Sequence, residues 1–195
     1  MFALYFNSTG FDNTAIGCNS DVSSGNLNNA TVIGASAVVN TSNKVRIGNT
    51  SVSVIEGNSS YTVSDGRFKK NIQDNVVGLN FIMALKPVTY NFEYQKFSSF
   101  LGEKNADAEW LKQKESKTEI GFIAQDIEAT CKKLGINASN IVHTPVNDKD
   151  NYSIAYQELV VPLVKGMQEQ QALIKAMNEK MDAMQKELDK LKSQK

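Results

Sequence analysis

Residues 160–191 read VVPLVKGMQEQQALIKAMNEKMDAMQKELDKL, and their apolar side chains recur at alternating steps of three and four. Val160, Met167, Ile174, Met181 and Leu188 fall at position a of a heptad, and Leu163, Gln170, Met177, Met184 and Leu191 at position d. A 3.5-residue period held for more than four heptads, with Lys and Glu around it, predicts a long helix whose apolar seam meets other helices. The bland alternative is one amphipathic helix docked on its own domain. Gln170 would face its copies across the axis and help to fix register, as buried polar core residues do. Methionine at four core positions specifies oligomer number weakly, so the pattern does not choose between dimer and trimer.

At the other end the chain has a different chemistry. Residues 1–60 carry only Asp12, Asp21, Lys44, Arg46 and Glu56 as charged side chains, but hold ten Asn and ten Ser. They repeat loosely, as NTAIGCNS (13–20), NATVIGASA (29–37) and KVRIGNTS (44–51). Each unit runs into Ile-Gly (Ile16-Gly17, Ile33-Gly34, Ile47-Gly48), at spacings of 17 and 14 residues. That period suits one strand and one turn per rung. A flexible Asn/Ser linker would have no reason to repeat Ile-Gly. So little bulky apolar surface predicts no core in a lone chain, and three chains wound around shared Ile and Val side chains would supply one.

Residues 64–158 read as a compact α+β unit. GLNFIMALKP (78–87) has helical spacing at Leu79, Ile82, Met83 and Leu85, and Pro87 stops it. VTYNFEY (88–94) alternates Val88, Tyr90, Phe92 and Tyr94, the pattern of a half-buried strand. The charged excursion at 95–119 reads as a loop or an added surface helix. IGFIAQDIEATCKKLG (120–135) gives a short strand and then an amphipathic helix closed by Gly135, and 141–156 gives two short strands around an Asn/Asp turn. The chain thus divides into 1–63, a β-repeat segment; 64–158, the α+β domain; and 159–195, the coiled-coil helix.

Composition narrows the function classes. With 21 basic and 21 acidic residues the formal net charge is zero, which gives a nucleic-acid-binding role no support. No apolar run approaches the roughly 18 to 20 residues of a membrane-spanning helix. MFALYFNSTG (1–10) has no basic n-region and no small-residue cleavage site, and reads as the start of a fragment rather than a signal peptide. Cys18 and Cys131 are too few and too far apart for a disulfide framework or a metal site, and no cofactor motif is present.

The seam between the uncharged and charged regions reads SYTVSDGRFKKNI (60–72). Ser64 and Lys69 could be a nucleophile and its base, or Ser64 or Asp65 could N-cap a turn and leave Lys69 and Lys70 solvated. His143, in an expected loop before Thr144-Pro145, reads as structural, and Cys131 as a buried thiol.

Four blocks in order, SDGRFKKNI (64–72), GLNFIMALKPVTYNF (78–92), IGFIAQDIEA (120–129) and YSIAYQELVVPLVKGMQEQ (152–170), carry a family resemblance. The chain resembles the C-terminal intramolecular chaperone, auto-processing domain (peptidase S74) of phage tailspikes, tail fibres and endosialidases, with a relative in the myelin regulatory factors. The preceding repeats are similar, more loosely, to the shafts of trimeric fibres and bacterial surface adhesins. The excursion at 95–119 looks longer than the family minimum.

The resemblance implies a homotrimer that folds its own upstream fibre and then acts once as a self-cleaving serine endopeptidase. Ser64 would be the nucleophile, Lys69 the base, and Val63–Ser64 the scissile bond, with Asp65, Arg67 and Asn71 supporting the motif. It also implies a phage tail fibre or a bacterial surface as the location, a host receptor or glycan as the mature fibre's target, and release of the chaperone part. A thin three-chain fibre has high contact order and exposes strand edges until assembled, so a C-terminal trimeriser that later departs would supply register and then kinetic stability. Two other readings stay open: a permanent trimeric cap that never cuts, and an adhesin stalk using aromatics near Phe97, Phe100 and Trp110.

Overall fold

A computed structural model describes residues 2–58, 62–104 and 107–194. It is a mixed α and β architecture ending in a long helix. The elements run β1 (Thr14–Ile16), β2 (Asp21–Val22), β3 (Thr31–Ile33), β4 (Val38–Val39), β5 (Val45–Ile47), α1 (Leu79–Ala84) and β6 (Val88–Tyr90). Then follow α2 (Tyr94–Leu101), α3 (Ala108–Glu115), β7 (Glu119–Gly121), α4 (Ala124–Leu134), β8 (Val142–His143), β9 (Ser153–Ile154) and α5 (Val160–Ser193). Two compact units share the chain by interleaving: Met1–Ser64, Pro87–Gly121 and Thr144–Tyr152 in one, and Asp65–Lys86, Phe122–His143 and Ser153–Lys195 in the other.

In the first unit the repeats stack as parallel coils. Ile16 pairs with Ile33 and Ile33 with Ile47, so the 17- and 14-residue spacings of the sequence are the lengths of successive coils. A second parallel pair, β2 with β4, forms another wall. The Asn-rich composition has a conformational cause. Asn19, Asn29 and Asn43 hold left-handed φ values of 57°, 52° and 57°, a region that asparagine tolerates better than most residues. Gly17 has φ 131°, and a Cβ there would lie 2.7 Å from the carbonyl carbon of Gly34 on the next coil.

The expectation that this segment lacks a core of its own is corrected by the structure. Val22, Leu27, Ala30, Val32, Ala37 and Val39 form a buried cluster inside the coils of one chain. The repeated isoleucines face outward instead: Ile16 is 58%, Ile33 37% and Ile47 51% exposed. Valine, alanine and one leucine fill the narrow interior of these short coils.

The same unit contains the β6–β7 antiparallel pair and helices α2 and α3. The strand expected over 88–94 ends at Tyr90, since its partner β7 ends there in register with Glu119. Asn91 then donates to the carbonyls of Glu115 and Lys117, and Tyr94 opens α2. The excursion is two helices rather than a loop. Gly102 closes α2 at φ 72°, and the Asp107 carboxylate caps α3 by accepting from the Trp110 N–H at 3.0 Å.

In the second unit α1 packs on α5 and α4. Phe81, Ile127 and Cys131 are buried there, and burial pushes the Cys131 thiol up from its ordinary pKa. Gly135 closes α4 at φ 68°, and β8 pairs antiparallel with β9 through Val142 and Ile154.

Candidate functional site

The stretch from Val63 to Lys69 is built by local bonds. Asp65 caps a single 3-10 turn, Gly66–Phe68: one carboxylate oxygen accepts from the Arg67 backbone N–H at 2.9 Å. The other accepts from Arg67 Nε at 2.9 Å and Nη2 at 2.6 Å, a bidentate pair. Arg67 holds the Asp65 carboxyl below its ordinary pKa, and Asp65 raises that of Arg67. Lys69 ends the turn, its N–H donating to the Gly66 carbonyl at 3.1 Å. Asn71 follows with φ 53°, a left-handed bend that suits asparagine. Of the two turn-capping candidates in the sequence, Asp65 is the one that caps.

Val63 (86%), Phe68 (79%) and Ile72 (78%) are strongly exposed in the single chain, as are Ser64 and Lys69. In the sequence, these three exposed apolar residues lie within ten positions of one another, interspersed with Ser64 and Lys69.

Helix α5 is 34 residues long, about 51 Å at 1.5 Å per residue. Its buried residues, Pro162 and Gly166, lie on the side that packs against α1; a Cβ at Gly166 would sit 3.3 Å from the Leu79 nitrogen. Every residue of the expected seam lies on a different side and is exposed: Val160, Leu163, Met167, Gln170, Ile174, Met177, Met181, Met184, Leu188 and Leu191. Docking on its own domain therefore uses a face other than the heptad seam.

A third cluster lies inside the first unit, and sequence reasoning missed it. Glu103, whose side chain is 1% exposed, accepts from Arg46 Nη2 at 3.3 Å, from the Thr50 N–H at 3.0 Å and hydroxyl at 2.6 Å, and from the Ser98 hydroxyl at 3.2 Å. Burial lowers the pKa of Arg46, which Glu103 opposes. Lys114 Nζ donates to the carbonyls of Thr50 at 2.7 Å and Val52 at 3.0 Å and lies 4.0 Å from the centre of the Tyr94 ring. The Tyr94 hydroxyl donates to Glu119 at 2.7 Å, and its pKa is pushed up to about 12 by desolvation and by that carboxylate. Two aromatics of the excursion also touch this cluster, while Phe100 stays 44% exposed. Trp110 Nε1 donates to the Ser51 carbonyl at 2.9 Å, and the Arg46 guanidinium sits 5.5 Å from the Phe97 ring centre.

Among the described residues no group of His, Cys, Asp and Glu side chains could hold a metal ion, and no helix is long and apolar enough to cross a membrane. Cys18 and Cys131 are free thiols.

Residues 64–136 match the family Peptidase_S74, chaperone of endosialidase, which bears out the resemblance for that stretch. The match begins at Ser64 and ends just past α4, short of the block at 152–170. No curated protein matches the chain.

Proposed function

We propose that this chaperone-of-endosialidase stretch, with α5, is an intramolecular chaperone that trimerises, folds the upstream β-repeats as its client, and cuts itself free between Val63 and Ser64. The observation that carries the reading is the position of Ser64. It is the first residue of the family match, it follows the last segment of the repeat region, and a capped turn leads from it to Lys69. The exposed seam of α5 supports self-association of three chains, and the outward isoleucines of the repeats support lateral packing into a fibre. The match to an endosialidase chaperone supports a phage-tail setting, a bacterial surface is the other setting this reading allows, and a surface receptor or glycan is the target it would give the mature fibre.

The chemistry needs no cofactor. Neutral Lys69 takes the proton of the Ser64 hydroxyl as Oγ attacks the Val63 carbonyl carbon. The tetrahedral intermediate expels the Ser64 amide nitrogen, which receives that proton and becomes an amine, leaving Val63 as an ester on Oγ. Water hydrolyses the ester, freeing the Val63 carboxylate and regenerating the hydroxyl. A lysine acts as base only when neutral, and exclusion of water favours that form. Burial of Val63, Phe68 and Ile72 between assembled chains would supply it, so that cutting follows assembly.

The experiment is the intact mass of wild type beside Ser64→Ala and Lys69→Ala, under denaturing conditions after incubation. Fragments ending at Val63 and beginning at Ser64 in wild type alone support the reading. Whole chains throughout that still form trimers would instead establish a permanent cap, the second reading, which the exposure of Ser64 and Lys69 in the single chain favours.

A further inference from the structure

The first 60 residues hold two basic side chains, Lys44 and Arg46, and both are engaged by carboxylates that lie downstream of Ser64, Glu103 inside the family match and Asp150 after it. Lys44 Nζ lies 2.9 Å from Asp150 Oδ1 and Arg46 Nη2 3.3 Å from Glu103 Oε1; the carboxylate side chains are 0% and 1% exposed. Cations this sparse in an uncharged segment, each meeting a buried carboxylate, form a two-point recognition pattern. Each carboxylate also accepts neutral hydrogen bonds, but Arg46 and Lys44 are the cations set against them, and removing a cation would leave a buried carboxylate without its counter-charge.

Backbone contacts close the rest of the interface. Strand β5 is an edge of its sheet, and the chain that leaves it offers carbonyls that a further coil would otherwise use. Lys114 takes those of Thr50 and Val52, and Trp110 that of Ser51. On the other grip, Asn40 Nδ2 donates to the Lys149 carbonyl at 2.7 Å, and Lys149 Nζ to the Ser23 carbonyl at 2.9 Å. The excursion thus covers the end of the repeat stack.

We infer that Glu103 and Asp150 are a latch that reads Lys44 and Arg46 as the docking tag of the client's last coil, and that this latch holds the chaperone on the fibre after the chain is cut. All the client residues it touches lie upstream of Val63, so scission at Val63–Ser64 breaks none of these contacts. Release of the chaperone is then a separate, slower step than peptide-bond cleavage. The inference rests on the proposed function only for the place of the cut.

The test uses the full chain in two forms, one native and one with a site for a sequence-specific protease inserted between Val63 and Ser64. Wild-type fragments are expected to co-elute on size exclusion after cutting, whereas those of Glu103→Gln with Asp150→Asn separate. The charge exchange Arg46→Glu with Glu103→Arg is expected to restore co-elution over Arg46→Glu alone. Wild-type fragments that part on cutting, or double-variant fragments that stay together, overturn the latch. If the native chain is never cut, the peptidase reading fails, but the inserted site still tests the latch. Should the double variant not assemble, Arg46→Lys carries the test, because it keeps the charge and loses the planar fork. Its cut fragments should dissociate about tenfold faster than wild type, and an unchanged rate overturns the proposal.

Discussion

The carboxylate of Glu169, on α5, accepts a 2.7 Å hydrogen bond from the backbone N–H of Leu79, the first residue of α1. Gly78, at the N-cap of α1, has no side chain to do this, so Glu169, 90 positions beyond Leu79, acts as the cap. The approach is close: a Cβ on Gly78 would lie 2.5 Å from the Glu169 carboxylate. Glu169→Ala is expected to destabilise the second unit by about 1–3 kcal/mol, with Glu169→Gln losing less because an acceptor remains. Denaturant unfolding followed by circular dichroism checks it. Equal stability of all three proteins would mean that the bond adds nothing.

How much of this was legible in the sequence depends on range. The long helix over 160–193, the Ile-Gly period and the Gly135 cap are local patterns that the structure shows, and the helix before Pro87 ends at Ala84, so Leu85 lies just outside it. The repeat core was hidden because strands of two or three residues are too short to show an alternation, and the eye goes to isoleucine rather than to Val32 and Ala37. The Glu169 cap and the Glu103 cluster join residues far apart in the chain, and no spacing rule reaches them. One signal was available: Lys44 and Arg46 stand nearly alone as charges in a neutral segment. The sequence also suggested that the aromatics near Phe97, Phe100 and Trp110 could contact an outside partner; Phe97 and Trp110 engage Arg46 and Ser51, and Phe100 is 44% exposed.

The seam of α5 separates self-association from docking on the chain's own domain. Ile174 is exposed at position a, on a side of α5 other than the one that carries buried Pro162 and Gly166. Ile174→Lys should leave the helix and the second unit folded while weakening association on the order of a hundredfold, since three ammonium groups would meet in an apolar layer. Light scattering at matched concentrations reads the mass. A monomeric wild type would remove the premise.

Asp65 caps the turn that leads from Ser64 to Lys69, so on the proposed self-cleavage it would act through position rather than by touching the scissile bond. Asp65→Ala loses the cap and the bidentate hold on Arg67 together. Cleavage should slow by about ten- to a hundredfold, the scale of a small misplacement of reacting groups, without being abolished as in Ser64→Ala. Asp65→Asn, which retains one acceptor oxygen, should fall between wild type and Asp65→Ala. The first-order rate of fragment appearance distinguishes these, and wild-type rates in Asp65→Ala would make the turn incidental.

Tyr94 gives the Lys114 cluster an alkaline limit. Its pKa rises from the ordinary tyrosine value of 10.0 to about 12 in the fold, so the folded state holds a proton that the unfolded chain has already lost between those values. Its stabilising contribution is full below pH 10 and disappears as the pH climbs toward 12. Ultraviolet titration of tyrosinate should show a late step near pH 12 that Tyr94→Phe removes. If Tyr94→Phe leaves the whole curve unchanged, the Tyr94–Glu119 bond does not hold the proton.

Val32 and Ile33 are neighbours on β3 that point to opposite sides of the sheet, the first 0% and the second 37% exposed. Strand alternation makes their substitutions a test of which face is the core and which the outer surface. Val32→Ala opens a cavity inside the coils and should cost roughly 1–3 kcal/mol in any state of assembly. Ile33→Ser removes apolar surface that the single chain leaves in water, so its cost to the isolated fold should stay within about 0.5 kcal/mol. If the isoleucines pack between chains, the same Ile33→Ser change should instead weaken the assembled protein, visible as faster subunit exchange at equal thermal stability of the dissociated chain. Equal exchange rates for Ile33→Ser and wild type would leave the outward isoleucines without a role in assembly. A larger loss of stability from Ile33→Ser than from Val32→Ala in the dissociated chain would reverse the register and place the isoleucines in the core.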